Sequence, residues 1–272
     1  MSSDLSSLES RPPPEIAHAV ERVGVAKARM SSLTLLVLGG LAGAFISVGA
    51  MFFIVVITSS DLGLGPTRFL GGLAFSLGLV MVVIAGAELF TGNNLIAMAW
   101  ASRLISARDV VRNWLIVYTG NVLGCLATVA LMFWSDTGAL GDNAVAATAI
   151  RIAHAKADLS PAVALSRGVL CNALVCIAVW LTLGGRTVTD KILAVVLPIT
   201  AFVTLGAEHS IANWFFLPYA IALEGAGALP WTAAVRNLAL VTLGNLIGGT
   251  LLVAGVYWLA YLRSTGKPTT VS

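Results

Sequence analysis

Two polar signatures interrupt long apolar runs in this 272-residue chain. Gly86-Ala87-Glu88, four residues, then Asn93 recurs as Gly206-Ala207-Glu208, four residues, then Asn213. Where the two copies differ, one half carries a lone hydroxyl, Thr91, and the other a lone imidazole, His209. Aligning Glu88 with Glu208 places both near one pseudo-symmetry axis among apolar neighbours. An ionisable group at membrane depth is costly and marks a functional site by default. His209 is therefore a pore residue or, failing that, a satisfied buried histidine. Thr91 could equally bond its own helix backbone, and Asn172 could reach the same axis or hold helices together. Glu88, Asn93, Glu208 and Asn213 come as a symmetric set, which suits groups that support a broken helix backbone. Gly120, Asn121, Gly244 and Asn245 suit close helix packing with an interhelical hydrogen bond.

The elements around these residues are membrane spans. The chain is 58% hydrophobic and only 11% charged, with a mean hydropathy of +0.92, against about 25% charged residues in a soluble domain. That excludes an ordinary soluble enzyme and a disordered chain. A net charge of +3 is too mild for a nucleic-acid partner. Cys125, Cys171 and Cys176 lie in apolar runs without zinc spacing, so neither a metal nor a cofactor is expected.

Six apolar stretches lie near 33–58, 70–100, 113–134, 167–184, 192–223 and 235–262. A straight crossing takes about 20 residues. The second and fifth stretches are too long for one crossing, at roughly 46 Å as continuous helix, and both carry the polar signatures. They read as broken helices, allowed at membrane depth where the loosened backbone is buried or lines a cavity. The signatures recur at an offset of 120 residues, and Arg112-Asn113 with Gly120-Asn121 recurs 124 residues later as Arg236-Asn237 with Gly244-Asn245. Three spans per half put the second half upside down relative to the first. The expected fold is thus an all-α integral membrane protein with an inverted 3+3 repeat.

Residues 1–32 are polar, and an amphipathic helix from Glu15 to Arg29 follows Pro12-Pro13-Pro14. Ile16, Ala19, Val20, Val23 and Met30 share one arc; Lys27 is the exception among its charged residues. This helix reads as a membrane-surface anchor or as a gate. Eleven Lys and Arg on the side of both termini, against five opposite, place the termini in the cytoplasm. The expected organisation is a cytoplasmic N-terminal segment (1–32), a channel domain (33–262, halves 33–134 and 167–262) and a cytoplasmic tail (263–272).

Glu88-Leu89-Phe90-Thr91-Gly92-Asn93, Arg112-Asn113-Trp114 with Gly120-Asn121, Arg167-Gly168 with Cys171-Asn172, and Glu208-His209-Ser210-Ile211-Ala212-Asn213 together resemble the formate–nitrite transporter family from about residue 33 to 262. The resemblance implies an aquaporin-like homopentamer in a bacterial-type inner membrane, with one pore per protomer. It implies passage of small monovalent anions or their acids, formate foremost, with nitrite or hydrosulfide as the alternative, and protons involved. It further implies His209 as the central pore histidine with Thr91 its hydroxyl partner, and Asn172 hydrogen-bonding within the pore. Phe75 and Phe202 would form one apolar constriction, and Leu79, Leu89, Phe90 and Val175 the other, with Lys156 attracting anions at the mouth. An aquaporin-like neutral-solute channel is the remote alternative, since no Asn-Pro-Ala turn is present. A membrane enzyme using Glu208 and His209 lacks any accompanying nucleophile or cofactor motif.

Overall fold

The computed structural model describes residues 9–225 and 227–263, so the expected tail lies, from residue 264 on, outside the described residues. Prolines in its first turn open α1 (Pro13–Arg29), and its basic last turn complements the helix dipole. Helix α2 (Ser32–Ile57) starts at Ser31, whose hydroxyl accepts the Thr34 N–H at 3.1 Å. Helix α3 (Leu64–Ala85) stops at Gly86, whose φ of +80° is open to glycine at no steric cost. After the break, a tight turn of helix (Gly92–Ile96) leads into α4 (Ala97–Ala101). A capping box of Ser106 and Asp109 opens α5 (Ala107–Trp134).

The second half begins with α6 (Ala144–Ala157) and α7 (Pro161–Gly184). A second capping box, Thr187 with Asp190, opens α8 (Val188–Thr204). The chain then turns at Gly206, φ +71°, and resumes as α9 (Ser210–Glu224). The last stretch is one helical rod: α10 (Trp231–Ile247), a wide-turn segment (Gly248–Gly255) and α11 (Val256–Tyr261). Among the described residues there is no strand, and five helices are long and apolar enough to cross a membrane. Both overlong apolar stretches are interrupted, at 86–91 and at 205–209.

Small residues set how closely these helices pack. Gly124 on α5 lies against the Gly40 carbonyl of α2, where a β-carbon would collide with backbone; Gly248 meets the Val169 carbonyl of α7 in the same way. Without a hydrophobic drive between helices in lipid, such close backbone approach supplies the packing energy. The largest buried cluster surrounds the breaks, with Phe75, Leu79, Val175, Phe202 and Ile211 among its members. Helix α1 spends its apolar face on the protein itself: Ile16, Ala17 and Val20 join Leu95, Met98, Cys176 and Trp180 in one buried cluster. It is docked on the helical body, so the surface-anchor alternative loses the apolar face it requires.

Candidate functional site

Each break needs partners for the backbone groups it frees, since an unpaired buried N–H or C=O costs several kcal/mol in hydrocarbon. One asparagine per half supplies them. Asn121 Nδ2 donates to the carbonyls of Gly39 (2.8 Å) and Glu88 (2.9 Å), while its Oδ1 accepts the Phe90 N–H at 2.9 Å. Asn245 Nδ2 donates to the carbonyls of Gly168 (2.8 Å) and Glu208 (2.9 Å), and its Oδ1 accepts the Ser210 N–H at 2.9 Å. The interhelical hydrogen bond expected of these two asparagines is present in each half, to Gly39 and to Gly168, and the bonds to the break itself go beyond that expectation. The signal for more was there, in the eight-residue spacing that repeats along with the break motifs.

The carboxylates sit in a second matched pair of networks. Lys27 Nζ reaches Glu88 at 2.9 Å and Asn93 Oδ1 at 2.8 Å; Asn93 Nδ2 donates to Glu88 (2.7 Å) and Asn113 Oδ1 (2.9 Å). In the other half, Lys156 Nζ donates to both Glu208 oxygens at 3.0 Å. Asn213 Nδ2 there donates to Glu208 (2.7 Å) and Asn237 Oδ1 (2.8 Å). Each glutamate is 4% exposed and is matched by a lysine from the short helix that precedes its half. Lys27, the odd residue on the α1 helical wheel, points inward for this reason. Asn113 and Asn237 close each network by donating to the backbone carbonyl of that lysine.

Thr91 and His209 meet where the breaks face each other. Their Oγ1 and Nε2 are 3.0 Å apart, and both side chains are buried. His209 also caps α9: its Nδ1 accepts the Ala212 N–H at 3.1 Å. A backbone N–H can only donate, so Nδ1 presents its lone pair and the proton of the neutral ring sits on Nε2. Nε2–H therefore donates to Thr91 Oγ1, leaving the threonine O–H free to donate elsewhere. The Thr91 carbonyl is held by Asn172 Nδ2 (3.2 Å) and Cys176 Sγ (3.3 Å). Asn172 also donates to Asn94 Oδ1 and to the Asn245 carbonyl, each at 2.7 Å, tying α7 to the first break and to α10.

A cavity lies on each side of this pair. The one facing α6, about 550 Å³, is lined by Phe75, Phe202, His209 and Lys156 among others. Phe75 and Phe202 meet edge to face at 5.5 Å, and Phe202 stacks on the His209 ring at 6.1 Å. The one facing α1, about 230 Å³, is lined by Leu79, Leu89, Lys27 and Asn93 with α1 itself. Phe75 and Leu79 are one turn apart on α3, so the barrier between the cavities is about 6 Å along that helix. Val175 is buried but lines neither cavity. Phe90 points away, its ring on Trp114 (6.5 Å) and Tyr118 (4.9 Å) in an apolar groove between α5 and α10.

Known proteins resemble this chain over most of its length. The family model described as Formate/nitrite transporter matches residues 14–259. The chain belongs to the formate/nitrite transporter family. Formate channel FocA of Escherichia coli K12 is 38% identical over 269 residues, covering 92% of this chain and 94% of that protein. Formate channel BtFdhC of Bacillus thuringiensis is 36% identical over 253 residues, covering 92% and 96%. A solved structure of a pentameric formate channel with formate bound superposes with a TM-score of 0.78 at 39% identity, covering 85% of this chain and 98% of that one. A second solved structure, an FNT family ion channel, gives 0.83 at 27% identity, covering 90% and 98%. Membership of the formate/nitrite transporter family makes this chain a membrane transport protein and not an enzyme.

Proposed function

We propose that this chain is a channel for small monovalent anions, formate first, crossing between the two cavities past Thr91 and His209. The observation that carries the proposal is the Thr91–His209 hydrogen bond, a polar joint set between apolar walls at the meeting of two broken helices. The formate bound to a pentameric relative supports the choice of solute, and the same relative supports a homopentamer with one pore per protomer. Six crossings result when α8 and α9 share one, as α3 and the 92–101 segment share another. The paired networks of Lys27/Lys156, Glu88/Glu208, Asn113/Asn237 and Asn121/Asn245 support an inverted 3+3 repeat that includes α1 and α6. In a bacterial-type inner membrane the basic residues set both termini in the cytoplasm, making the α6-side cavity the external one.

Energetics give the mechanism. An unpaired carboxylate in a dry constriction costs several kcal/mol. Protonating an acid of pKa about 3.7 at pH 7 costs about 4.5 kcal/mol, at about 1.36 per unit. Crossing as formic acid therefore competes with crossing as formate. Phe75 and Phe202 on one side, with Leu79 and Leu89 on the other, form the dry walls. Lys156 is neutralised by Glu208, so Arg68, Arg151 and Arg167 keep positive charge at the mouth, and Thr91 O–H donates to the carboxylate at the midpoint. Asn172 holds Thr91 in place. His209 with its proton on Nε2 is a poor acid; becoming imidazolium would require Nδ1 to give up the Ala212 N–H. The proton accordingly comes from water, and His209 fixes the direction of the threonine hydroxyl.

Uptake into proteoliposomes decides the solute. Formate entry is expected to rise as the bath goes from roughly pH 7 to roughly pH 5, where the acid fraction grows about 100-fold, with glycerol excluded. Nitrite entering faster than formate would reassign the substrate within the family. Glycerol or water flow without anion flux would overturn the reading.

A further inference from the structure

The two cavities differ in charge in a way that transport of a monovalent acid does not require. On the α1 side, Lys27 is neutralised by Glu88 and, among the described residues, no other charged residue lines the cavity. On the α6 side, Arg68, Arg151 and Arg167 join the Lys156–Glu208 pair, so the lining carries four cations against one carboxylate. Among the described residues none of the three arginines has a carboxylate within ion-pair distance. Arg68 Nη1 donates to the Thr204 carbonyl at 3.1 Å, which holds its guanidinium beside the Gly206 turn of the second break. Arg151 bonds only the Thr148 hydroxyl one turn back, at 3.2 Å. Arg167 is half-buried; its backbone carbonyl accepts the Glu208 N–H at 3.2 Å while its side chain has no hydrogen-bond partner among the described residues. Three forks, each with N–H groups to spare, thus open on one cavity of about 550 Å³ whose floor is Phe75, Phe202 and His209.

We propose that this vestibule is a binding site for a small doubly charged oxyanion such as sulfate, hydrogen phosphate or a short dicarboxylate, which occupies the mouth without passing and blocks it. The inference rests on the channel reading only for its blocking step. Guanidinium forks match the paired oxygens of such anions, and charge-assisted bonds of this type are the strong ones. A cavity with a surplus of three positive charges favours a dianion over a monoanion, and low-dielectric walls concentrate the field. Passage is a different matter. Formate has an accessible neutral acid, whereas a sulfate dianion has none near neutral pH, so the Phe75–Phe202 pair stops it. Selectivity between mono- and divalent anions then arises from tight binding above a barrier that only a neutralised species crosses.

The test is calorimetric titration of sodium sulfate into the full-length protein in detergent, at constant ionic strength with sodium chloride as the control titrant. Saturable sulfate binding is expected, with affinity at least about 10-fold lower in the combined Arg68→Gln, Arg151→Gln, Arg167→Gln variant. The single Arg151→Gln, which disturbs one exposed side chain, weakens it several-fold, and Lys191→Gln, away from the vestibule, leaves it unchanged. Absence of saturable binding, or equal affinity in wild type and the arginine variants, would overturn the site. In proteoliposomes, sulfate added to the bath should lower formate entry through channels whose α6 side faces out, and the combined variant should resist it. Sulfate that binds yet leaves formate entry intact overturns the block. Failure of wild type to carry formate at all would count against the channel reading, while the titration still judges the site.

Discussion

Replacing Lys156 by methionine is expected to destabilise the folded protein by about 3–5 kcal/mol, the usual cost of stranding one charge of a buried ion pair. Glu208 is 4% exposed, and among the described residues Lys156 is the one cation within ion-pair distance of it. Its other partner, the Asn213 amide at 2.7 Å, is already shared with Asn237. The double variant Lys156→Met, Glu208→Gln should recover most of the loss, because the charge is then gone and the amide can still accept from Asn213. Thermal unfolding in detergent measures both. Lys27→Met should behave alike but more mildly, since Lys27 is 23% exposed against 14% for Lys156 and water can reach the stranded carboxylate more easily. Equal melting of Lys156→Met and wild type would show that the lysine lends nothing to the break.

The second large effect belongs to Asn245. Leucine there removes the partners of three buried backbone groups at once: the Ser210 N–H and the carbonyls of Glu208 and Gly168. At about 1–3 kcal/mol for each group left unsatisfied, the sum rivals the whole stability of a typical domain. Asn245→Leu should therefore fail to give folded, detergent-stable protein. Asn245→Asp, protonated in this buried place, keeps the acceptor for Ser210 and one donor for the two carbonyls, so it should fold with a lowered melting temperature. A size-exclusion profile and melting curve separate the two cases. A well-folded Asn245→Leu protein would mean that the second break is held by packing alone.

Much of this arrangement was legible in the residues. The breaks at 86–91 and 205–209 fall where polar motifs sit in apolar stretches too long for one crossing. Aligning the two copies of the motif sets Thr91 opposite Ile211 and His209 opposite Leu89, and both polar groups fall near one axis because the two breaks face each other. Lys27 was visible as an anomaly on the α1 wheel. Its partner was hidden, since Glu88 lies 61 residues away and only docking of α1 on the helical body joins them. Phe90 and Leu89 are grouped in one expected constriction; both lie in the same buried cluster, with Leu89 lining the α1-side cavity and Phe90 the groove between α5 and α10. A non-helical break turns successive side chains by angles that helical periodicity does not supply. Asn172 stood between a pore role and a gluing role. Its amide donates to Thr91, Asn94 and Asn245 while its Oδ1 has no partner among the described residues, so it holds the Thr91 backbone from behind. Asn121 and Asn245 were under-read because a side chain that binds backbone leaves no mark on hydropathy.

The central claim is that formate crosses at the Thr91–His209 joint with its proton drawn from water. Formate uptake across the range from about pH 7 to about pH 5, compared in wild type and His209→Phe, tests it most directly. Phenylalanine keeps the ring volume, removes the Nε2–H that orients the threonine, and leaves the first turn of α9 without its cap. The account predicts formate entry at about pH 7 reduced at least about 10-fold in the variant, and a steeper rise on acidification, because only preformed formic acid then crosses. Formate entry at the wild-type rate with the wild-type pH dependence would contradict it.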